Sequence, residues 1–534
     1  MPISPTTKAR LTFIGNILLL LVFAISFPQS PLYTSNQNTY FVHGLADAGV
    51  GYLKLDWFAQ TTDPFPVFSA LVSATARTLG ESAFYFLYMA ILAIYLYAIL
   101  GIVCSIHDMG CPWWGCCREP NAWREEDSPR SRLKYVAFAA LLVVLYSGIL
   151  VDPNPSLVNG LAGQFALGSF FQPATFGVLL ILSIHLFMRD KPFAAAACLA
   201  IAASVHPSYL LSAAILTATC MAVTVARSGN YKRAILLGAL ALVLVLPIVI
   251  YVRLNFSPTS PDVFRRAQSI LVDHEPLKGF AYLAGTSIHA HVHRWFNWVA
   301  VVRIGLIALS IYLVRRTPLF MLLLVPFLTS MALTLVQYLT GNRTLAMLFP
   351  WRVTAFLMPI ASSIILAGLL VVSFRVFDRW IARIARPLHA LCLVTIVLVG
   401  CLGVYRKAVL LNMPRQGLTP AVAQAAESYR PGELYMIPLA MQTFRLAANV
   451  PVLVDLKSHP YKDAEVIDWY ERVMLAHRFY TSHGQVACEL LQTAVDVYGV
   501  THVVFRCGTS IPACDALTES YQDEKVSIYR VVGD

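Results

Sequence analysis

Long apolar runs, interrupted at intervals by clusters of Lys and Arg, fill the chain as far as about residue 404. Roughly 20 apolar residues in a helix cross the hydrocarbon core of a membrane, and on that measure the pattern predicts about eleven spanning helices. They fall at about Leu11 to Phe27, Ser82 to Val103, Tyr135 to Val151, Ala174 to Met188, Phe193 to Val205 and Ser208 to Ala226. Five more follow at about Ala234 to Tyr251, Val299 to Val314, Leu319 to Leu339, Val353 to Phe374 and Leu388 to Val404. The fifth run is short for a full crossing, and His206-Pro207 breaks it from the sixth, because proline cannot donate the N–H that a continuing helix needs. From about Arg406 the pattern becomes that of a water-facing domain. Strands are predicted at Glu433 to Pro438, Pro451 to Leu456, His502 to Phe505 and Val526 to Val532, with helices at Asp463 to Phe479 and Cys488 to Tyr498. Strands and helices in that alternation predict a small α/β sandwich. The expected division is a polytopic transmembrane domain over 1–404, with long external loops at 28–81 and 254–298, and an α/β domain over 405–534.

One stretch breaks the apolar texture early. Asn36 to Ser69 packs His43, Asp47, Asp56 and Asp63 among Tyr40, Phe41, Tyr52, Trp57, Phe58, Phe65 and Phe68. Tyr40, Phe41, Leu45 and Ala48 have helical spacing, which predicts a short amphipathic helix on the membrane surface. Asp63-Pro64 has the form of an N-cap followed by proline at the first helical position, so a second helix is expected to start there and run to Leu79. Between them, Gly49, Gly51 and Leu55-Asp56-Trp57 form a turn that presents Asp56 outward.

Composition strengthens this picture: 57% of residues are hydrophobic and 13% charged, and the mean hydropathy is +0.64. A water-soluble globular class is excluded. The basic residues at Lys8 and Arg10, Arg118 to Lys134, Arg189 and Lys191, Arg227 to Arg233, Arg315 and Arg316, and Arg375 to Arg386 sit on alternate connections. By the positive-inside bias those connections are cytoplasmic, which leaves the long aromatic loops and the C-terminal domain outside the cytoplasm. The formal net charge of +11 follows from this bias and is no nucleic-acid footprint. The first run lacks a small-residue cleavage pattern and is read as an anchor. This implies an integral membrane protein with a cytoplasmic N-terminus.

Cysteines divide by compartment. Cys198, Cys220, Cys392 and Cys401 lie in spans as packing residues. Cys104, Cys111, Cys116 and Cys117, with His107, crowd one cytoplasmic loop without the paired spacing of a closed zinc site. Cys507 and Cys514 stand close together in RCGTSIPAC, so a local disulfide is expected there, with Cys488 as the alternative partner.

The outer connections carry the candidate chemistry. Asp152 to Pro173 offers Asn154, Asn159, Gln164 and Gln172 between glycines and phenylalanines, a neutral surface suited either to sugar hydroxyls or to satisfying its own backbone. His206 is either a substrate contact or a cap for the backbone that Pro207 leaves unpaired. The loop after the seventh run holds Arg265, Arg266 and His274, and adjacent guanidiniums suit a phosphate or diphosphate. Its His289-x-His291-x-His293 alternation is a weaker metal signal. Arg352, in Phe349-Pro350-Trp351-Arg352, either snorkels or reaches inward to a lipid head group, and Arg303 raises the same alternative. In the C-terminal domain Asp455, Lys457, His459 and Tyr461 follow the end of a strand, a usual place for a site, and structural packing against the membrane domain accounts for them too.

The layout resembles the GT-C superfamily of integral-membrane glycosyltransferases, and the stretches HGLADAG, DWF, DPFPVFS, FPWR and FRL followed by DLKSHPY are similar to a group of bacterial membrane proteins of that layout. The resemblance implies transfer of a sugar from a polyprenyl-phosphate carrier in the lipid bilayer to an extracytoplasmic glycan, lipid or protein acceptor. One departure matters: where many such transferases enter the first surface helix with Asp-Glu, this chain has Asn36-Gln37, and an amide cannot take a proton. The acid has then moved to Asp56 or Asp47, or the chemistry is gone. Asp56 is the expected base, with Asp47 and His43 near it. Arg265, Arg266, His274, Arg352, His206, Trp57 and Gln164 are the expected substrate contacts. A divalent cation shared by the acids is possible, though no spacing indicates one. A non-catalytic protein that binds or transports a polyprenyl-linked glycan is the alternative.

Overall fold

The computed structural model of the chain describes residues 5–107, 109, 129–148, 159–273 and 297–532. Two compact units form: Met1–Gln29 with Tyr85–Ile248 and His289–Asn412, and Ser30–Phe84 with Val249–Ile288 and Met413–Asp534.

The first unit is helical. Each apolar run that pattern predicts carries a helix, from Pro5–Ser26 through to Asp378–Leu411. Among the described residues, six helices are long and apolar enough to cross a membrane: Ala83–Ile106, Pro207–Ser228, Tyr231–Asn255, Leu319–Thr340, Arg343–Val376 and Asp378–Leu411. Thr12–Ser26, Pro173–Met188, Pro192–Val205 and Trp298–Leu313 are shorter apolar helices. The chain is thus an α-helical polytopic membrane protein. The break at His206-Pro207 is real: His206 is extended (φ −134°, ψ 95°), and the chain restarts through a single 3₁₀ turn, Pro207–Tyr209.

The last helix runs to Leu411, past Arg406. Its end fastens two others: Lys407 Nζ donates to Phe27 O at 2.9 Å and Arg406 Nη1 donates to Ser147 O at 2.6 Å. Both acceptors lie just beyond helix C-termini, Pro5–Ser26 and Pro129–Tyr146. Unpaired carbonyls and the negative pole of the helix dipole gather there, so a cation is the fitting partner.

The second unit holds a four-stranded sheet in the order β1-β2-β4-β3. Its strands are β1 (Tyr435–Met436), β2 (His502–Arg506), β3 (Leu517–Gln522) and β4 (Val526–Val531). β1 runs parallel to β2, whereas β2–β4 and β4–β3 are antiparallel. Pleating sends successive side chains to opposite faces. Val503 and Phe505 join Leu453, Trp469, Val473, Phe479 and Leu491 on one side, while Val504 and Ile528 join Val422, Ala425, Tyr435 and Phe444 on the other. Helices Asp463–Thr481 and Gly484–Tyr498 cover the first face; Pro420–Ser428 and Phe444–Ala448 cover the second.

The structure differs from the sequence expectation at several points. The 451–456 segment is not a strand; it contributes a single parallel bridge, Val452 to Tyr435. β3 was invisible to pattern because its outward residues Thr518, Glu519 and Ser520 are exposed in sequence and suggest a loop. Asn36 to Ala48 forms two short helices, Gln37–Tyr40 and Val42–Asp47, with Gln37 to Thr39 and Val42 to Ala46 buried. They are interior elements of the unit, because their polar side chains are consumed by local backbone. Asp63 does not cap the next helix, which spans Pro66–Thr78; its Oδ1 accepts from Phe65 N at 2.8 Å, forming a turn ahead of Pro66. Finally, the disulfide is Cys488–Cys514, and Cys507 is an exposed free thiol.

Val42–Asp47 and Pro66–Thr78 touch through a glycine. A Cβ on Gly44 would stand 2.6 Å from Ser69 O and 2.7 Å from Val72 Cβ. Gly44→Ala therefore wedges two backbones apart and is expected to cost about 1–3 kcal/mol, seen as a lower unfolding midpoint in detergent; an unchanged midpoint would refute the close packing. The disulfide assignment is checked by thiol labelling: Cys514→Ser should expose Cys488 to an alkylating reagent, and Cys507→Ser should not.

Candidate functional site

Acidic residues of the second unit are the natural place to look for a base, and most of them are occupied. Asp56 has no exposed surface. Its Oδ1 accepts from Phe58 N at 2.9 Å, and its Oδ2 accepts from Val452 N and from Arg445 Nε, each at 2.9 Å. Arg445 reaches on through Nη1 to Asp455 Oδ2, while Asp455 Oδ1 accepts from Lys457 N and Ser458 N at 2.8 Å. Burial opposes the Arg445 charge, but the two carboxylates outweigh it and hold the guanidinium above its ordinary range. The turn that pattern expected to present Asp56 outward folds it inward. As a saturated counter-ion, Asp56 has no lone pair facing solvent with which to take a proton.

Of the Asn36-Gln37 pair that stands where an acid was expected, Gln37 is built into the local backbone, as is its neighbour Asn38. Gln37 Oε1 accepts from Tyr33 N at 2.8 Å and Thr34 N at 3.3 Å, and Asn38 Nδ2 donates to Tyr33 O at 2.7 Å and Ser35 O at 3.2 Å. Tyr33 and Ser35 have positive φ (68° and 50°), a conformation that L-residues adopt at a cost. Side chains that accept and donate hold it in place.

His43 and Trp57 are similarly committed. His43 is buried, with Nε2–H donating to Thr61 O at 3.1 Å. Trp57 lies under the Arg472 guanidinium at 4.4 Å, and Tyr498 contacts the same cation at 4.4 Å. Arg265 pairs with Asp262 within its own exposed helix, and Arg266 lies 3.9 Å from Glu471. Neither guanidinium is the unbalanced charge that the sequence suggested. His274, Asn154 and the His289, His291 and His293 series lie outside the described residues.

Asp47 is different. It is exposed at the end of its helix, and among the described residues its carboxylate has no partner; Arg77 donates to its backbone carbonyl instead.

In the first unit, three of the predicted contacts come together. Arg352 Nε donates to Gln164 Oε1 at 3.0 Å, its Nη1 donates to His206 Nε2 at 2.9 Å, and the same nitrogen donates to Ser208 Oγ. A guanidinium nitrogen only donates, so His206 Nε2 must carry a lone pair and the ring is neutral, with its proton on Nδ1. The surrounding backbone is set to allow this. Phe349, directly before Pro350, is left-handed (φ 48°, ψ 56°), and its ring lies 5.0 Å from the Arg352 guanidinium carbon. Strain of that kind is kept where neighbours over-determine it. The Gln164 segment is docked by Leu161 N donating to Thr354 Oγ1 at 2.8 Å and Arg303 Nη1 donating to Gly160 O at 2.9 Å. Arg303 thus positions the loop.

The two arginine clusters differ in charge. Arg445 is matched by two carboxylates. Arg352 is held by an amide, an imidazole and a hydroxyl, and among the described residues it has no acidic partner, so its charge remains available to an anion. Sequence pattern found Arg352, Gln164 and His206 and missed Ser208, which was visible as His206-Pro207-Ser208. It missed Arg445 too, although FRL was among the stretches picked out. Among the described residues no three His, Cys, Asp or Glu side chains gather as a metal site.

A family model described as a domain of unknown function (DUF6798) matches residues 417–476, a span that includes Arg445 and Asp455. No curated protein matches the chain. Among solved structures, ArnT from Cupriavidus metallidurans bound to undecaprenyl phosphate is similar at 13% identity with a TM-score of 0.49, over 99% of each chain. The apo state of the same protein gives 13% identity and a TM-score of 0.40, again over 99% of each. At this level the likeness is one of layout and assigns no residue, ligand or activity.

Arg445→Met should leave two carboxylates buried without a counter-charge and destabilise the second unit by about 3–5 kcal/mol. Limited proteolysis and thermal unfolding would register this as earlier cleavage within 413–534 and a lower midpoint; a variant as stable as the parent would show that the carboxylates are neutral in the fold.

Proposed function

We propose that the protein is a membrane glycosyltransferase that takes a sugar from a polyprenyl-phosphate carrier and passes it to an acceptor outside the cytoplasm. The observation that carries this reading is the unbalanced charge of Arg352, held on neutral groups in the membrane unit. A phosphate joined to a lipid is an anion that enters such a place, and a guanidinium with two polar flanks suits its oxygens. Gln164 and Ser208 orient the guanidinium, and neutral His206 adds no second charge that would trap the leaving phosphate.

Asp56, saturated, is not the base in this reading. In the step proposed, the acceptor oxygen attacks the anomeric carbon as its proton passes to water. The bond from that carbon to the carrier phosphate breaks, its electron pair leaves on the phosphate oxygen, and Arg352 stabilises the charge. The cytoplasmic N-terminus and extracytoplasmic second unit belong to the same reading, as does the polyprenyl lipid as donor.

A non-catalytic protein that binds a polyprenyl-linked glycan is the second reading. It is favoured by the structural use of Asp56 and Gln37, which removes both the expected base and the position where an acid would stand.

The two are separated by assaying the parent and the Arg352→Gln variant with a polyprenyl-phosphate sugar in nanodiscs. For the transferase, the parent should turn over and Arg352→Gln should weaken lipid binding about tenfold or more. Lipid binding without turnover in the parent protein would establish the second reading, and lipid binding untouched by Arg352→Gln would refute both.

A further inference from the structure

Between helices Val42–Asp47 and Pro66–Thr78 lies an open groove of about 520 Å³, lined by Asp47, Lys54, Ser73 and Arg77 over a floor of alanines that includes Ala46 and Ala70. Its size falls within the range of small-molecule sites, about 300–1,000 Å³. Two cations border it. Lys54 has no acidic partner among the described residues, and Arg77 donates to the Asp47 backbone carbonyl rather than to a carboxylate. Ser73 is only 7% exposed. Its hydroxyl opens to the groove and makes no hydrogen bond among the described residues.

We infer that this groove binds a phosphorylated sugar. The two unbalanced cations exceed the one carboxylate, so the groove favours an anion. A fork-shaped guanidinium beside a point-like ammonium matches phosphate oxygens. Asp47 and Ser73 supply an acceptor and a hydroxyl for sugar O–H groups, and the alanine floor leaves room for a ring to lie flat.

The test is equilibrium dialysis of radiolabelled glucose 6-phosphate against the full-length protein in detergent. Saturable binding is expected. Lys54→Gln and Arg77→Gln should each weaken it about tenfold, Arg352→Gln should leave it unchanged, and unlabelled glucose 6-phosphate should compete far better than glucose or inorganic phosphate. Ser73→Ala should weaken glucose 6-phosphate more than inorganic phosphate, a selectivity that a packing role would not produce. The inference is overturned if nothing saturable binds, if the Lys54→Gln/Arg77→Gln double variant binds like the parent, if binding disappears in Arg352→Gln alone, or if inorganic phosphate competes as well as the sugar phosphate.

Discussion

A buried guanidinium shared by two carboxylates organises the second unit. Arg445 is 1% exposed, and both Asp56 and Asp455 are 0% exposed. Three desolvated charges are tolerated only when every remaining lone pair is filled, and here backbone N–H groups of Phe58, Val452, Lys457 and Ser458 fill them. The consequence is topological. Asp56 lies in the early loop, Arg445 on a short helix and Asp455 after the bridge at Val452, so one ion network locks together segments almost 400 positions apart in sequence. The loop after Asp455 is fastened further by Thr39 Oγ1 donating to Lys457 O and Ser458 Oγ donating to Asn38 O. Two more carboxylates extend the pattern: Glu465 accepts from Thr62 N and Oγ1, and Asp463 accepts from Thr259 N and Oγ1. Acids of the C-terminal segment are thus spent on tying down loops that precede it.

That use of charge explains which parts were legible in sequence. The membrane helices were, because apolar length is a local property and each run needs only itself to be recognised. The helix break at His206-Pro207 was legible for the same reason. The fate of Asp56 was not, since its partner Arg445 is remote and nothing in the DWF stretch distinguishes an outward acid from one destined for burial. Pattern treats a polar residue in a loop as available, and only packing reveals that it has been used. The same blindness applied to Asn36 to Ala48. Helical spacing was read correctly there, but interior against surface depends on what lands on the polar side.

At the Arg352 cluster the opposite holds. Gln164, His206 and Arg352 were singled out separately, each beside a bland alternative, and none of those local arguments required them to meet. Gly160 shows why they do: a Cβ there would stand 2.4 Å from Thr354 Oγ1 and 2.6 Å from the Thr354 carbonyl carbon. Only a glycine lets the Asn159–Gln172 segment lie against the start of the Thr354–Val376 helix, and that contact carries Gln164 to Arg352. The left-handed Phe349 then aims the arginine. A strained residue and a glycine without clearance are both costs to the fold, and a snorkelling arginine would need neither.

The contrast between the two arginines therefore supplies a physical criterion for separating structural from functional charge in this chain. A structural cation is neutralised where it stands, and Arg445 meets that condition twice over. A binding cation has to be held in place by groups that do not neutralise it, since a carboxylate partner would compete with the incoming anion and would have to be displaced at a cost of several kcal/mol in a poorly hydrated place. Gln164, Ser208 and a neutral His206 hold without neutralising. Protonating His206 would violate the condition in the other direction, because its Nε2 would then present a proton to the Arg352 donor, and the cluster would have to open. The neutral ring is accordingly as much a part of the site as the arginine that it holds.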